Sequence, residues 1–443
     1  MHDDTTLLVG LDGVVVDRVE LDPDGCRVVH LSTAPHGKDA ETDTRAVCPS
    51  CRTPASSVKG WVTTRPRDVA LPVPARLVWR KRRWRCRESG CARSSFTESI
   101  PQVPSRARVT GRLRDAAGAA VAVGGRTIPA VGRDMAVSWP VVSAAFTERA
   151  TAMLPAEPEP VRVLGIDETR RGRPRFAPNP DTGLSEQVTD RWHTGFTDLT
   201  GGQGLLGQVE GRAGGDVGAW LAARTQAWRD GVQTVAIDMC AAYRAAVREH
   251  LPNATLVVDH FHVVQLANQT LSEVRRRVTA ALRGRRVRRD DPEYGIRRRL
   301  LRNREDLTDA KFTDMWNRLI DLGQPGHDIL SAWIAKEELR ALLALARTHP
   351  TRHLISTRLW AFYRWCADTT IPELHRLAAT IQAWWPQIEA FILTGITNAA
   401  SEGINRLIKL EARNAFGFRN PVNQRLRSRC ASIRAALRPA KPG

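Results

Sequence analysis

The chain predicts a multidomain α+β protein, and three features of its 443 residues carry that expectation. A strand-rich N-terminal part holds two close cysteine pairs. A Pro-rich acidic segment, LPAEPEP at 154–160, then interrupts the pattern. Beyond it, apolar runs alternate with amphipathic ones before giving way to a long helical stretch. The length allows about three domains at ~150 residues each, and an apolar fraction of 42% supplies cores for them.

Taken in order, residues 7–32 predict two strands, LLVGLDGVVVDRVEL and CRVVHLS, around the turn DPDG. The polar stretch TAPHGKDAETDTRA leads to the first cysteine pair. Short strands follow over 58–100, RLVWRKRRWRC being the clearest. Residues 110–150 turn helical, through GRLRDAAGAAVAVG, TIPAVGRDM and SWPVVSAAFTERA. After the linker, VRVLGID is a buried strand, and RWHTGFTDL and GLLGQVEG are two more. GGDVGAWLAARTQAW predicts one amphipathic helix, VQTVAID a buried strand, CAAYRAAVREHL a helix and ATLVVDHFH a short strand. Three strands followed by alternating helices and strands imply a mixed sheet covered by helices. Residues 264–395 are almost wholly helical and rich in Arg and Trp. The expected organisation is a β-rich metal-binding domain over 1–105, a helical DNA-binding domain over 106–153 and an α/β core over 161–263. A helical insertion over 264–395 and a final helix with a basic tail over 396–443 complete it.

The formal charge is +19, and Arg far outnumbers Lys. Such a balance points to a polyanionic partner, most simply nucleic acid, with a generic basic surface as the plainer alternative. No apolar run approaches the ~20 residues that span a bilayer, so no membrane partner is expected. The opening MHDDTTLLVG carries acids where a signal peptide carries bases. A cytoplasmic protein is expected, with its thiols reduced.

The cysteines then need another explanation. CPSC supplies Cys48 and Cys51, and CRESGC supplies Cys86 and Cys91. Two close pairs on separate turns suit one tetrahedral Zn²⁺, and four thiolates would close its shell, making the ion structural. The alternative is four unrelated thiols. Cys26, Cys240, Cys366 and Cys430 are isolated and are expected in cores.

The segment TIPAVGRDMAVSWPVVSAAFTERA has the layout of a helix-turn-helix. Thr127 is expected to cap one helix and Ser138 the next, with Pro129 and Pro140 in their first turns. The second helix, over 139–149, would enter a major groove; a plain helical packing unit is the competing reading.

Two apolar strands end in acids, VLGID at Asp167 and VQTVAID at Asp238. If the strands are neighbours, the carboxylates emerge side by side, and each raises the other's pKa. A divalent cation reverses that cost. Mg²⁺ takes carboxylate and phosphate oxygens together, and a pair of such ions suits phosphoryl displacement. The third acid is expected to be Glu402, in the helix of TNAASEGINRLIKLEARNAFGF. Arg406 and Lys409 lie on the same face to meet phosphates. A surface bridge between Glu402 and Arg406 is the plainer alternative.

The order CPSC, KRRWRC, helix-turn-helix, VLGID, AIDMCAAYRAAV, VVDHFHVV, NAASEGINRLIK and FGFRN resembles bacterial insertion-sequence transposases of the ISL3 family over nearly the whole chain. The resemblance implies double-stranded DNA as the partner, with a zinc-binding segment and a helix-turn-helix that bind terminal inverted repeats. It further implies an RNase H-like DDE catalytic domain with an all-helical insertion. The triad would be Asp167, Asp238 and Glu402, serving two Mg²⁺ ions, or Mn²⁺ in their place. The activity implied is metal-dependent DNA cleavage and strand transfer by a homodimer or larger assembly beside the nucleoid. A non-catalytic element-derived repressor and a metal-dependent nuclease without strand transfer are the alternatives. The four residues inside the second cysteine pair, where two or three are usual, suggest a looser knuckle.

Other residues carry weaker expectations. Glu168, Asp259 and His262 would support the metal ligands. In the run RRRVTAALRGRRVRR, Arg275, Arg276, Arg277, Arg285 and Arg286 are expected on the DNA backbone. Trp360, Trp365, Trp384 and Trp385 are expected to pack between helices rather than stack on bases.

Overall fold

The computed structural model describes residues 4–34, 46–55, 57–70, 75–189 and 191–436. Most of the polar stretch before the first cysteine pair, and the final basic tail, lie outside them. The chain divides into two compact units, Met1–Pro155 and Ala156–Gly443.

The first unit opens with a short helix, α1 (Asp4–Val9), where a strand was expected; LLV is too short to reveal a period, and Gly10 ends the turn with a φ of 59°. Strands β1 (Val14–Leu21), β2 (Arg27–Thr33), β3 (Val58–Thr64), β4 (Ala75–Arg85) and β5 (Ser95–Thr97) form one sheet in the order β1-β2-β4-β3, with β5 on β4. Alternation along β2 and β4 sends Val29, Leu31, Leu77 and Trp79 into its core. Three helices follow, α2 (Gly111–Ala122), α3 (Ile128–Asp134) and α4 (Trp139–Met153). The Thr127 hydroxyl accepts from the Ala130 amide and caps α3. Ser138 does precede α4, but its side chain makes no capping bond.

The second unit is built on β6 (Val163–Arg170). A hairpin that sequence did not suggest, β7 (Arg175–Pro178) and β8 (Ser185–Thr189), leaves the sheet before β9 (Trp192–Asp198) and β10 (Leu205–Glu210). The expected single helix is two, α5 (Gly214–Ala222) and α6 (Gln226–Gly231). The break falls at Thr225, whose hydroxyl accepts from the Trp228 amide and starts a new helix. Then come β11 (Thr234–Ile237), α7 (Ala241–His250) and β12 (Thr255–Val258). The five main strands lie in the order β10-β9-β6-β11-β12. β9 runs antiparallel to both β10 and β6, whereas β11 is parallel to β6 and to β12. The parallel strands are buried on both faces, which explains their unbroken apolar runs.

DHFH does not extend β12. Asp259 accepts from the Phe261 amide and caps α8 (His260–Arg283), which Gly284 ends in a left-handed conformation. One face of α8, from Val263 through Ala267, Leu271, Val274 and Val278, enters the core of a helical bundle. Its other members are α9 (Pro292–Ile296), α10 (Asp309–Ile320), α11 (Gln324–Leu343), α12 (Arg352–Ala367), α13 (Pro372–Ala383) and α14 (Trp385–Thr394). The chain returns to the sheet with α15 (Ala399–Asn414) and α16 (Pro421–Ala436). Trp384 is buried, and Trp365 and Trp385 pack partly into the bundle core, but Trp360 is 70% exposed and packs on nothing comparable. No helix among the described residues is long and apolar enough to cross a membrane.

Candidate metal sites and a candidate active site

Strand register brings the first two acids together. Ala236 of β11 pairs with Gly165 of β6, so two residues further on Asp238 stands beside Asp167 at the same sheet edge. Oxygens of Asp167, Glu168 and Asp238 all lie within 4.8 Å of one another. Burial, then the charges of Asp238 and Glu168, push the Asp167 carboxyl up to about 7. That is the penalty expected of a carboxylate cluster without a cation. An all-oxygen donor set under mutual repulsion fits Mg²⁺ or Mn²⁺, with Asp167 and Asp238 as ligands and Glu168 beside them.

Neighbouring side chains hold these acids. Asn405 of α15 donates its amide to Asp167 at 2.7 Å and bonds the Thr169 hydroxyl on the same strand. Tyr243 of α7 donates to Glu168 at 2.9 Å and meets the Thr194 hydroxyl at 3.1 Å. His262, in the first turn of α8, lies 3.0 Å from Asp238. That contact, outweighing burial, raises the His262 pKa. Asp259 has a different task. Burial raises its carboxyl, but the bonds from His260 and the Phe261 amide outweigh it and leave the pKa lowered, as suits a helix cap. Neither Asn405 nor Tyr243 was singled out from sequence. Both sit inside the quoted motifs SEGINRLIK and AIDMCAAYRAAV, and only the helix-to-sheet register reveals their partners.

Glu402 is absent from the converging group. Its carboxylate pairs with Arg406 at 2.7 Å, with the two side chains 56% and 76% exposed. Its helix is nevertheless locked onto β6. Asn398 donates to the Ile166 carbonyl at 3.1 Å, and Asn405 holds Asp167. A Cβ on Gly165 would come within 2.3 Å of the Ser401 hydroxyl and 2.6 Å of the Asn398 oxygen. Glycine in VLGID therefore permits the close approach of α15 to the strand that carries Asp167. A cleft of ≈ 340 Å³ opens from Glu168, Asp238 and His262 toward Gln265, Gln269 and Trp384.

The cysteines form a separate site in the first unit. Cys48 and Cys91 sulfurs are 3.8 Å apart, Cys51 and Cys86 sulfurs 3.5 Å. A tetrahedron with ~2.3 Å Zn–S bonds has edges of roughly 3.8 Å, so the four fit Zn²⁺. Each sulfur accepts a backbone N–H from two residues on, at Ser50, Thr53, Glu88 and Arg93. The second turn thus repeats the geometry of the first despite its longer spacing. The Thr53 hydroxyl and then its amide lower Cys51 to about 6. Cys26, Cys366 and Cys430 are buried in cores, and Cys240 is half-buried at the start of α7.

The basic run is only partly free. Arg277 pairs with buried Glu373 at 2.6 Å, Arg283 with Glu293 at 2.8 Å and Arg285 with Asp291 at 2.8 Å. These arginines tie α8 to α13 and to the start of α9, so Arg277 and Arg285, expected on the DNA backbone, also have partners within the protein. Arg275 is half-buried, and burial lowers its pKa. Arg276 and Arg286 are exposed, as are Arg406 and Lys409 on α15.

The transposase family profile of the ISL3 type matches residues 164–428, and the zinc-finger profile of the IS204/IS1001/IS1096/IS1165 transposases matches residues 44–91. The transposase of insertion sequence IS1001 from Bordetella parapertussis is 27% identical over 427 residues, 93% of this chain and 94% of that one. The transposase of IS1557 from Mycobacterium tuberculosis is 32% identical over 212 residues, 44% of this chain and 46% of that one. The solved Drosophila P element transposase strand transfer complex is similar at a TM-score of 0.38 and 8% identity, over 73% of this chain and 92% of that one, too remote to equate residues. With more than half its length inside the first profile and its cysteine cluster inside the second, the chain belongs to the ISL3 family of insertion-sequence transposases.

Proposed function

We propose that the second unit cleaves and joins DNA strands in a metal-dependent reaction at Asp167, Asp238 and Glu402. The observation that carries this reading is the register that sets Asp167, inside β6, which runs on to Arg170 rather than ending at the acid as expected, beside Asp238, just past the end of β11. The strand order β10-β9-β6-β11-β12, with β9 antiparallel to both its neighbours, supports an RNase H-like reading of the core. Two Mg²⁺ ions held there would neutralise the phosphodiester and stabilise the attacking and leaving oxygens. Asn405 holds the Asp167 carboxylate in place, and Tyr243 keeps Glu168 from swinging away. His262 neutralises Asp238 until an ion takes its place. Glu402 completes the ligand set by leaving Arg406, since an exposed bridge contributes only ~0–1 kcal/mol. Arg406 and Lys409 then face the DNA backbone. The first unit, held by one structural Zn²⁺, binds double-stranded DNA at the element's ends, and two chains act together because two ends must be joined.

Glu168 is the competing third ligand, because it already sits in the cluster. The test is Mg²⁺-dependent nicking and joining of a duplex carrying the element's end. Asp167→Ala abolishes both while end binding persists, and Glu402→Gln does the same, whereas Glu168→Gln leaves measurable activity. Cleavage surviving Asp167→Ala would remove this site from consideration. Loss with Glu168→Gln but not Glu402→Gln would reassign the third acid. Nicking without joining would make the protein a nuclease.

A further inference from the structure

A cleft of ≈ 980 Å³ in the first unit is lined by twenty residues, of which seven are cationic and one is acidic. The whole chain has 66 Lys and Arg against 47 Asp and Glu, so the cleft is far more one-sided than the protein. Its acid, Glu98, is already used by Arg82 at 2.5 Å, the Arg82 amide and the Trp84 indole. Glu98 is thus the one acid set against seven cations in the lining.

Their placement follows from two short repeats, RPR at 65–67 and RAR at 106–108. Residues 65–67 continue from β3, where residues i and i+2 share a face, whereas Arg106 sits in a turn at a φ of 66°. The middle residues turn inward: Pro66 is buried, and Ala107 packs on the core. Arg65 and Arg67, and Arg106 and Arg108, are left outward and exposed. The Arg67 amide bonds the Arg108 carbonyl at 2.9 Å, and the Thr110 amide bonds the Arg67 carbonyl at 2.9 Å, so the two segments run side by side. Deeper in the cleft, Lys81 of β4 is 4% exposed, over the Trp79 ring at 4.2 Å. Among the described residues its ammonium makes no hydrogen bond or ion pair. Burial works against the Lys81 charge, and beside exposed guanidiniums only Glu98 and the Trp79 face offset it, so an entering anion is favoured. The opposite wall is Val137, Ser138 and Val141, at the start of α4. The Ser138 hydroxyl makes no capping bond, while its carbonyl accepts from the Val141 amide at 3.0 Å.

We infer that this cleft is a phosphate-backbone site for double-stranded DNA, in which the two Arg-x-Arg segments and Lys81 grip consecutive phosphates beside the N-terminus of α4. The inference rests on the proposed reading of the first unit as DNA-binding and assigns its anchor. Contacts of this kind position a duplex without reading its sequence, so the cleft contributes to affinity for any duplex, and end specificity comes from elsewhere on the unit.

The test uses the full zinc-loaded chain, an end-bearing duplex and an unrelated duplex of equal length, titrated across salt concentrations. Replacing Arg65, Arg67, Arg106 and Arg108 by Gln should weaken both duplexes to a similar extent, by about 100-fold or more. The slope of log affinity against log salt should shrink by roughly 3–4. Replacing the same four by Lys should restore the slope, which guards against a folding defect, and Lys81→Met alone should reduce it by about 1. Unchanged affinity and slope in the Gln variant, with wild type binding normally, would overturn the inference and leave the proposed function standing. Wild type failing to bind any duplex would sink both. Saturable binding of inorganic phosphate that does not compete with duplex would also overturn it, by making the cleft a small-anion pocket.

Discussion

The two polar clusters of this chain are built on opposite plans. The four cysteines sit at the edge lengths of a zinc tetrahedron, and every sulfur has a backbone N–H supplied by its own turn. The acids are held by distant elements, Asp167 by α15 and Glu168 by α7, and the third expected ligand faces Arg406 instead. Local turns can make a closed, finished shell. A site that admits a phosphodiester, as proposed for the acids, has to stay open, and the repulsion between its carboxylates is stored in the resting fold.

That contrast is broken most severely at the zinc end. Chelation, or Cys48→Ser, should unfold the segment around Cys48, Ala55 and Phe96, because thiolates in a small satellite core have no other reason to converge. Limited proteolysis should cut there while the second unit stays intact. A chelated protein with unchanged proteolytic pattern would mean the four thiols pack without metal.

At the acid end the corresponding weak point is a contact between elements. Gly165→Val places side-chain atoms where Ser401 and Asn398 sit. Overpacking of this kind costs about 1–3 kcal/mol, but its larger effect should be on activity, because α15 carries both Asn405 and Glu402. A fall in Tm together with a 100-fold loss of nicking is expected. Full activity would show that the docking of α15 is dispensable.

A smaller effect follows from the stored repulsion. The folded Asp167 carboxyl titrates near 7, against 3.8 unperturbed. Between those values the unfolded chain holds fewer protons than the folded one, so this group lowers stability as pH rises through that window. Asp167→Asn should therefore stabilise the metal-free protein at pH 8 by on the order of 2 kcal/mol. The advantage should vanish near pH 3.5, and Mg²⁺ should raise the Tm of wild type but not of the variant. A variant less stable than wild type at pH 8 would mean the Asn405 bond outweighs the repulsion.

Much of this contrast is legible in the sequence, unevenly and for physical reasons. Cysteine pairs on tight turns are local, so spacing alone exposes them. Asp167 and Asp238 are legible because both end apolar runs of similar length, and parallel pairing then makes their ends coincide. Asn405 and Tyr243 are not, since an amide or a phenol on a helix gains meaning only from what the helix docks against. The same holds for Arg277 and Arg285, which look like a free basic run until Glu373 and Asp291 arrive from other segments. The Arg-x-Arg repeats were visible but short, and without the bridge between Arg67 and Val109 nothing joins one to the other.

The finest distinction concerns the bridge between Glu402 and Arg406. In the zinc cluster no cysteine is set against a cationic side chain in a salt bridge among the described residues, and the partners of each sulfur come from its own turn or the cluster itself. Glu402 has a cationic partner, four residues along its own helix and open to solvent. If the bridge were structural, Arg406→Ala would cost stability and disturb α15. If it only parks the carboxylate, the change should leave Tm within the range of an exposed pair, ~0–1 kcal/mol. It should also raise the affinity of the DNA-free protein for Mn²⁺ by a few-fold, because a competitor for Glu402 has gone. Glu402→Gln should lower that affinity, and the double variant should match Glu402→Gln alone. Arg406→Ala would still weaken DNA binding slightly, with a smaller salt slope, since it removes one phosphate contact. Metal affinity that is indifferent to both residues would place Glu402 outside the ligand set and leave Glu168 as the third acid.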